Sequence, residues 1–403
     1  MVTAASAVGF SESPLDVARM NFEASAARVL ADPDLRLFLS ACSRDLRVEL
    51  PVRMDGGQLR LFQAFRTHHN SGRGPHLGEL RFSPALSSGL LFALAQTLTW
   101  KAALAGVHFS GSMGGVVCNS AELSVAELER ITRAYVARLQ PLLGPFQDVL
   151  QPEIASGPQI AGWIHSEYAA HLNPIPGASR DGSDPSTLAC VVGKPETGGG
   201  IVDREQVLTC GLLGLLRRIA EERGKALSGL CIALHGVGAS RGLAEAMRHM
   251  GCKWVEVPDA DQLEVAGSDA LLQAACDVLI LAGNECAVHT GNVARIIAPV
   301  IIEAADLSVT PVADMVLAQK GAVVIPSLVA DAGVVIAAHL EWDANLRQVS
   351  ISAEAAGREI EALVLKTYDM VRQRAMERSQ TLRAAAYDIA LERAAPVERL
   401  RMP

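Results

Sequence analysis

"GLCIALHGVGASRGLAEAMRHMGCKWVEVPDA", from Gly229 to Ala260, decides the fold. A short apolar run ends in Gly236-Val237-Gly238, a helix-like stretch follows from Arg241, and a second apolar run begins at Trp254. Strand, glycine turn, helix and strand in that order make one crossover unit, which sets two strands parallel in a sheet. In a dinucleotide site the first glycine makes the turn and the second lets a pyrophosphate approach backbone N–H groups at the helix N-terminus. A carboxylate at the end of the next strand accepts from the ribose hydroxyls. Gly236, Gly238 and Asp259 occupy those places. At the third position, where close helix–strand packing wants glycine or alanine, the chain has Arg241, with Gly242 one place late. Two readings stand: a retained NAD(P) loop, or a doubly wound sheet that keeps the turn and has lost the cofactor.

Downstream, "DVLILA" at Asp277, "APVIIE" at Ala298 and "AVVIP" at Ala322 are further apolar runs at helix-sized intervals, and they extend the parallel sheet. Upstream the pattern changes. "LRVELPVRMDGGQLRLFQAFRTHHN" (Leu46–Asn70) alternates on both sides of Asp55-Gly56-Gly57, a β-hairpin whose turn needs positive φ. Gly89 to Val107 is broken only by Gln96, Thr97, Thr99 and Lys101, which predicts a buried helix. Ser124 with Glu127 three places on predicts a capping box opening another. Helices are also expected over Val17–Asp45 and along the last fifty or so residues. "NPIPGASRDGSDPS" (Asn173–Ser186) concentrates Pro, Gly, Ser and Asp and marks a domain boundary. The expected organisation is α/β: residues 1–185 as one domain, completed by helices in 345–403, and 186–344 as a Rossmann-type domain.

Composition agrees and excludes other classes. A chain of 403 residues suits two domains, and 50% apolar with 20% charged residues excludes disorder and coiled coil. A net charge of −8 argues against a non-specific grip on nucleic acid or anionic lipid. No signal peptide is evident at Met1–Ser11 and no run approaches eighteen apolar residues, so a cytoplasmic, membrane-free location is expected. The eight cysteines form no C-x-x-C pair and match no zinc spacing, which predicts reduced, packed thiols and no metal. His68, His69, His108 and His235 read as structural histidines, and Cys118 as a packed thiol.

From "RTHHNSGRGPHLGELRFSP" (Arg66–Pro84) through "TWKAAL", "FSGSMGGV", "LLGPFQDVLQPEIAS", "VVGKPETGGG", the glycine loop, "TPVADMVLAQKGAVVIPSLVADAG" and "LEW", the chain resembles the glutamate dehydrogenase family. The resemblance covers nearly everything from Leu46 on. It implies an N-terminal substrate and oligomerisation domain, a cleft, a nucleotide domain, C-terminal helices that return to the first domain, NAD(P) as cofactor, and a hexamer. It also implies oxidative deamination, in which hydride leaves the amino acid Cα and a lysine of depressed pKa activates water. A nearby aspartate moves protons, and two more lysines hold substrate carboxylates.

Placed residue by residue, the resemblance finds those roles altered. The family's G-G-G-K-G-G is Ser110-Gly111-Ser112-Met113-Gly114-Gly115, so the water-activating lysine is Met113. G-P-x-K-G-G-x-R is Gly74-Pro75-His76-Leu77-Gly78-Glu79-Leu80-Arg81, so a carboxylate-gripping lysine is Leu77 and a glycine has become Glu79. The aspartate of P-D-x-G is Glu153. The distal-carboxylate serine of N-A-G-G-V-x-x-S is Ala338, its asparagine is Asp331, and E-G-A-N has become Glu303-Ala304-Ala305-Asp306. One family lysine survives, Lys101, which reads equally as a substrate ligand and as a cation snorkelling to water. Losing a general base alone costs about 10² to 10⁴ in rate. The pattern predicts a catalytically impaired regulatory or structural subunit of a homo- or hetero-hexamer with an active paralogue, with an amino acid such as leucine as effector. The alternatives are an active but divergent NAD(P)-dependent amino-acid dehydrogenase using Lys101, Glu153 and Asp259, and a free-standing small-molecule sensor.

Overall fold

The computed structural model describes residues 12–153, 157–172, 185–201, 204–236, 241–254 and 269–402. Two five-stranded sheets organise the chain. The first takes β1 (Arg44–Arg53), β2 (Leu59–His68), β3 (His76–Phe82), β4 (Ser110–Val116) and β5 (Asp148–Pro152) in the order β1-β2-β4-β3-β5. β1, β2 and β4 run antiparallel, while β4, β3 and β5 are parallel. The second sheet is wholly parallel: β6 (Cys231–His235), β7 (Lys253–Trp254), β8 (Val278–Leu281), β9 (Val300–Glu303) and β10 (Val323–Ile325) in the order β7-β6-β8-β9-β10. Its strands are apolar on both faces, as a sheet covered by helices on each side requires.

The hairpin forms where the alternation places it, with Leu50 paired to Phe62 and Val48 to Ala64. Its turn differs from the expectation in one respect. Gly57 alone takes a left-handed φ, +84°, because the loop spans Met54 to Gln58 and closes on Met54 N–H donating to the Gln58 carbonyl. The strand expected at "WVEV" is described only as Lys253–Trp254, and residues 173–184 of the proposed boundary lie outside the described residues.

The buried helix is α1's neighbour. α1 (Pro14–Val29) packs on α3 (Ser88–Ala105), where Phe22 stacks on Trp100 with ring centroids 5.7 Å apart. α3 is capped by the Ser87 hydroxyl at its start and by Gly106 at φ +78° at its end. It lies so close to β4 that a Cβ on Gly111 would fall 1.9 Å from the Ala95 carbonyl oxygen, so that strand position has room only for glycine. This contact sets Lys101, on the helix, over the strand that carries Met113. The capping box forms as expected at the start of α4 (Val125–Leu139), Ser124 and Glu127 satisfying each other's backbone.

The two sheets are joined by the end of the chain. α12 (Ala353–Arg378) packs on α6 (Arg204–Glu222), and α13 (Leu382–Arg399) packs on α1 and α3. On α13, Arg383 donates to Glu303 at 2.9 Å, at the end of β9, while Asp388 accepts from Ser25 at 2.5 Å and Arg28 at 2.8 Å of α1. The C-terminal helices thus return to the first domain and hold the second as well. A further buried pair, Lys194–Glu341 at 2.6 Å, fixes the segment after β5 to α11 (Ala332–Arg347). Among the described residues no helix is long and apolar enough to cross a membrane.

Candidate functional site

β3 and β4 lie side by side, Leu77 opposite Gly111 and Leu80 opposite Gly114, so Leu77 and Met113 lie on the same face of the sheet. Leu77 is wholly buried in the apolar cluster that also holds Phe109, Val149 and Ala338. Met113 is 2% exposed and belongs to another cluster, with Val17 and Ala18 of α1, Leu91, Leu94 and Ala95 of α3, and Leu307 from beyond β9. A thioether packed among alkyl groups carries no exchangeable proton. The Met113 position therefore has no general base to offer.

Lys101 does not snorkel; that reading is corrected. Its side chain is 2% exposed, and the ammonium ends between two carboxylates, 2.9 Å from Asp306 and 2.5 Å from Asp331. Asp306 follows β9 and Asp331 directly precedes α11, so the lysine reaches from the first domain into the second. Burial alone would lower the pKa of a lysine here, but the two carboxylates outweigh it and hold the ammonium well above its ordinary value. A base that must give up its proton near neutrality requires the opposite shift. Asp306 responds in kind: burial would raise it, and the ammonium holds it below the usual carboxylate range. Leu307 adopts φ +57°, uncommon for a branched side chain, and the two neighbours part there, Asp306 toward Lys101 and Leu307 into the Met113 cluster.

A second bridge spans the same gap. Arg81 donates to Glu79 at 2.9 Å on its own strand and to Glu285 at 3.0 Å beyond β8. Ahead of α1, Glu12 accepts from Thr290 at 2.8 Å and Thr310 at 2.9 Å, strapping the N-terminal segment to the second domain. Each described cation in the gap, Lys101 and Arg81, is thus shared between two carboxylates. A dicarboxylate would meet an excess of negative charge here, with no free lysine to offset it.

The remaining predicted positions are less informative. Glu153 sits half-buried at the end of β5, close enough to Cys118 to help burial raise that thiol to about 11. Ala338 is buried on α11. Gly238 and Asp259 lie outside the described residues. Gly236 takes φ +114°, and a Cβ on it would fall 2.4 Å from the Gly283 nitrogen, so strand packing accounts for this glycine. The residues that would cradle a pyrophosphate, 237–240, lie outside the described residues. Among the described residues no group of His, Cys, Asp or Glu could hold a metal ion.

Sequence reasoning noted Asp306 and Asp331 only as departures from motifs and missed that both serve one lysine; the signal was that two amides became acids while one lysine stayed. It also missed a buried network behind β3. Arg66 donates to Asp148 at 2.8 Å, to the Glu79 carbonyl at 3.0 Å and to the Ser112 hydroxyl at 2.7 Å, and His68 shares the same aspartate at 2.7 Å. His69 is satisfied by the Leu39 carbonyl at 2.8 Å and the Thr99 hydroxyl at 3.0 Å.

Comparison with known proteins follows this geometry. Residues 43–170 match the family described as Glu/Leu/Phe/Val dehydrogenase, dimerisation domain, and residues 248–401 match Glutamate/Leucine/Phenylalanine/Valine dehydrogenase. Glutamate dehydrogenase A2 of Halobacterium salinarum is 30% identical over 419 residues, covering 96% of this chain and 98% of that one. The structure of a hetero-hexameric glutamate dehydrogenase from Thermus thermophilus, in a Leu-bound form, is similar with a TM-score of 0.87 at 29% identity, covering 99% of both chains. Glutamate dehydrogenase from Peptoniphilus asaccharolyticus shares the fold, with a TM-score of 0.78 at 24% identity over 96% of this chain and 99% of that one. Strand order, motif positions and these similarities agree, and the chain belongs to the glutamate/leucine/phenylalanine/valine dehydrogenase family.

Proposed function

We propose that this chain is a catalytically silent member of its family, acting as a regulatory or structural subunit in a hexamer with an active dehydrogenase. The observation that carries the reading is the capture of Lys101. The surviving lysine is fixed between Asp306 and Asp331, both standing where the family resemblance has asparagine, and is thereby kept protonated. A lysine so held supports the joint between domains, and its charge is already matched by two carboxylates before any substrate carboxylate could approach. The burial of Met113 and Leu77 in apolar clusters points the same way. Each change alone could retune specificity. Together they remove the base and the clamp while the packing of α1, α3 and α13 around them is complete.

The family uses NAD(P); binding by this subunit is not required for the proposed role. Support for a mixed hexamer comes from the similarity to the Thermus thermophilus protein, whose structure is hetero-hexameric with leucine bound. An amino-acid effector is proposed here on the same ground. Co-expression with an active family member from the same organism tests the reading. The two chains should elute together at hexamer mass, and the mixed assembly should show a rate or amino-acid response that the active chain alone lacks. Separate elution with an unchanged rate would refute it.

A further inference from the structure

Two loops at the carboxyl ends of the second sheet carry a matched pair of uncommon residues. Cys286, after β8, takes φ +56° and Leu307, after β9, takes φ +57°. A left-handed backbone is costly for a residue with a Cβ and persists only where the surroundings over-determine it. Here the two residues brace each other. The Cys286 N–H donates to the Leu307 carbonyl at 2.8 Å, and the loops stay zipped beyond it. Val288 N–H donates to the Ser308 carbonyl at 2.9 Å, and Thr310 N–H to the Val288 carbonyl at 2.9 Å. Beneath them Glu303 accepts from the Val309 N–H at 2.7 Å and the Ser327 N–H at 3.1 Å. Cys286 and Leu307 thus share one stiff tip.

That tip is seated in the first domain. Leu307 is 2% exposed, and among the described residues it is the one buried member that the second domain adds to the cluster of Val17, Leu91, Leu94 and Met113. Cys286 packs against the same cluster. Met113, where the family resemblance places a lysine, therefore belongs to the socket. Ligands of open α/β sheets sit in the crevice outside the carboxyl ends of the strands. Part of that crevice is taken here by the protein's own side chains.

Ionic contacts flank the tip one residue away on each loop. Asp306, next to Leu307, lies 2.9 Å from the Lys101 ammonium, and Glu285, next to Cys286, accepts from Arg81 at 3.0 Å. Three places beyond Leu307, Thr310 donates to Glu12 at 2.9 Å. Contacts that share one stiff element do not break independently.

We propose that these contacts form one latch: the tip of Cys286 and Leu307, seated in the Met113 socket and pinned by Lys101 and Arg81, holds the two domains closed. The gap then opens only when the whole latch parts. The inference concerns motion and does not rest on the chain being silent or on its having a partner. An enzyme with the same latch would still turn over, at a rate set by opening.

Chemical labelling of the full purified chain tests it, with N-hydroxysuccinimidyl acetate for amines and N-ethylmaleimide for thiols, each site read by peptide mass spectrometry. Lys101 and Cys286 report on the gap, and the exposed Lys366 is the reference for an open site. Lys194 controls for unfolding: its own partner Glu341 lies about 15 Å along α11 from Asp331, and the pair is 3% exposed. In the parent chain Lys101 should react about a hundredfold or more slowly than Lys366. Arg81→Gln and Leu307→Gly should each raise the Lys101 rate about tenfold or more, with Cys286 rising in step and Lys194 unchanged. Neither variant alters a group bonded to Lys101, and glycine accepts the left-handed φ at position 307 without strain. A parent in which Lys101 reacts as fast as Lys366 would overturn the latch. So would a Lys101 rate that either substitution leaves unchanged, a rise in one reporter without the other, or Lys194 reacting in step with Lys101.

Discussion

Replacing Lys101 by methionine removes the one cation between Asp306 and Asp331 while keeping the length of the side chain. Two carboxylates, one 6% and one 15% exposed, then face each other without the ammonium between them. Removing one member of a buried ion pair costs about 3–5 kcal/mol, because the charge left behind keeps its desolvation penalty. At roughly 2.1 cal/mol/K of unfolding entropy per residue, a chain of 403 residues loses about 1 °C per kcal/mol, so Lys101→Met should lower the Tm by about 4–6 °C. The loss has a signed pH dependence. Without the ammonium, burial is left to raise the folded-state pKa of Asp306 above its unfolded value. The penalty is then full at high pH and is relieved as pH falls through that raised value. The Tm gap between variant and parent should therefore shrink from pH 8 to pH 5. Adding Asp306→Asn and Asp331→Asn to Lys101→Met should recover most of the stability, since neutral amides need no counterion. Scanning calorimetry of the three proteins checks all of this. A single variant that melts with the parent, or a triple variant no better than the single, would refute the reasoning.

Two further outcomes follow from the same structure. His69 is fully buried with its pKa depressed to about 4, so the unfolded chain binds the extra proton first; stability is complete above about pH 6.5 and falls toward pH 4, by on the order of 3 kcal/mol from this group. Below that, Asp148, held well under the carboxylate range by Arg66 against the opposing effect of burial, begins to add its own loss, and a urea titration at pH 4, 5, 6 and 7 measures the slope. Reinstating both family lysines, Leu77→Lys with Met113→Lys, should lower the Tm by burying unpaired ammonium groups in apolar clusters. It should not restore turnover, because Glu79, Asp306 and Asp331 remain; an assay of NAD(P)H oxidation in the double variant decides it.

The architecture was legible because its signals are local and strong. Alternation around Asp55-Gly56-Gly57 fixes which residues of β1 and β2 share a face, and the short apolar runs from Gly229 to Pro326 can only be strands of a covered sheet. The capping box at Ser124 announced itself in four residues. The substitutions at Leu77, Met113 and Ala338 were visible once the motifs were aligned. What each now touches was not, since clusters join α1, β4 and the segment after β9, separated by nearly three hundred positions. Lys101 shows the limit most clearly. Helix periodicity places it on a buried face, and physics then demands a partner, but two aspartates more than two hundred residues away cannot be chosen from the sequence of the helix. The Arg66–Asp148–His68 network escaped notice for the same reason, its members lying on β2 and β5, which are not neighbours in the sheet. His76 looked like an incidental motif residue until its ring was found stacked on His68.

The central claim is that the cleft of this dehydrogenase-family chain no longer performs the family's chemistry. Its most direct test is the purified chain alone, assayed with 2-oxoglutarate and ammonia against NADH and NADPH, and in reverse with glutamate and with leucine, phenylalanine and valine. The account predicts no turnover above the buffer in any combination, and none after mild acid or salt is used to loosen the Lys101 and Arg81 bridges. Turnover at an ordinary dehydrogenase rate, abolished by Lys101→Ala or Glu153→Gln, would contradict it.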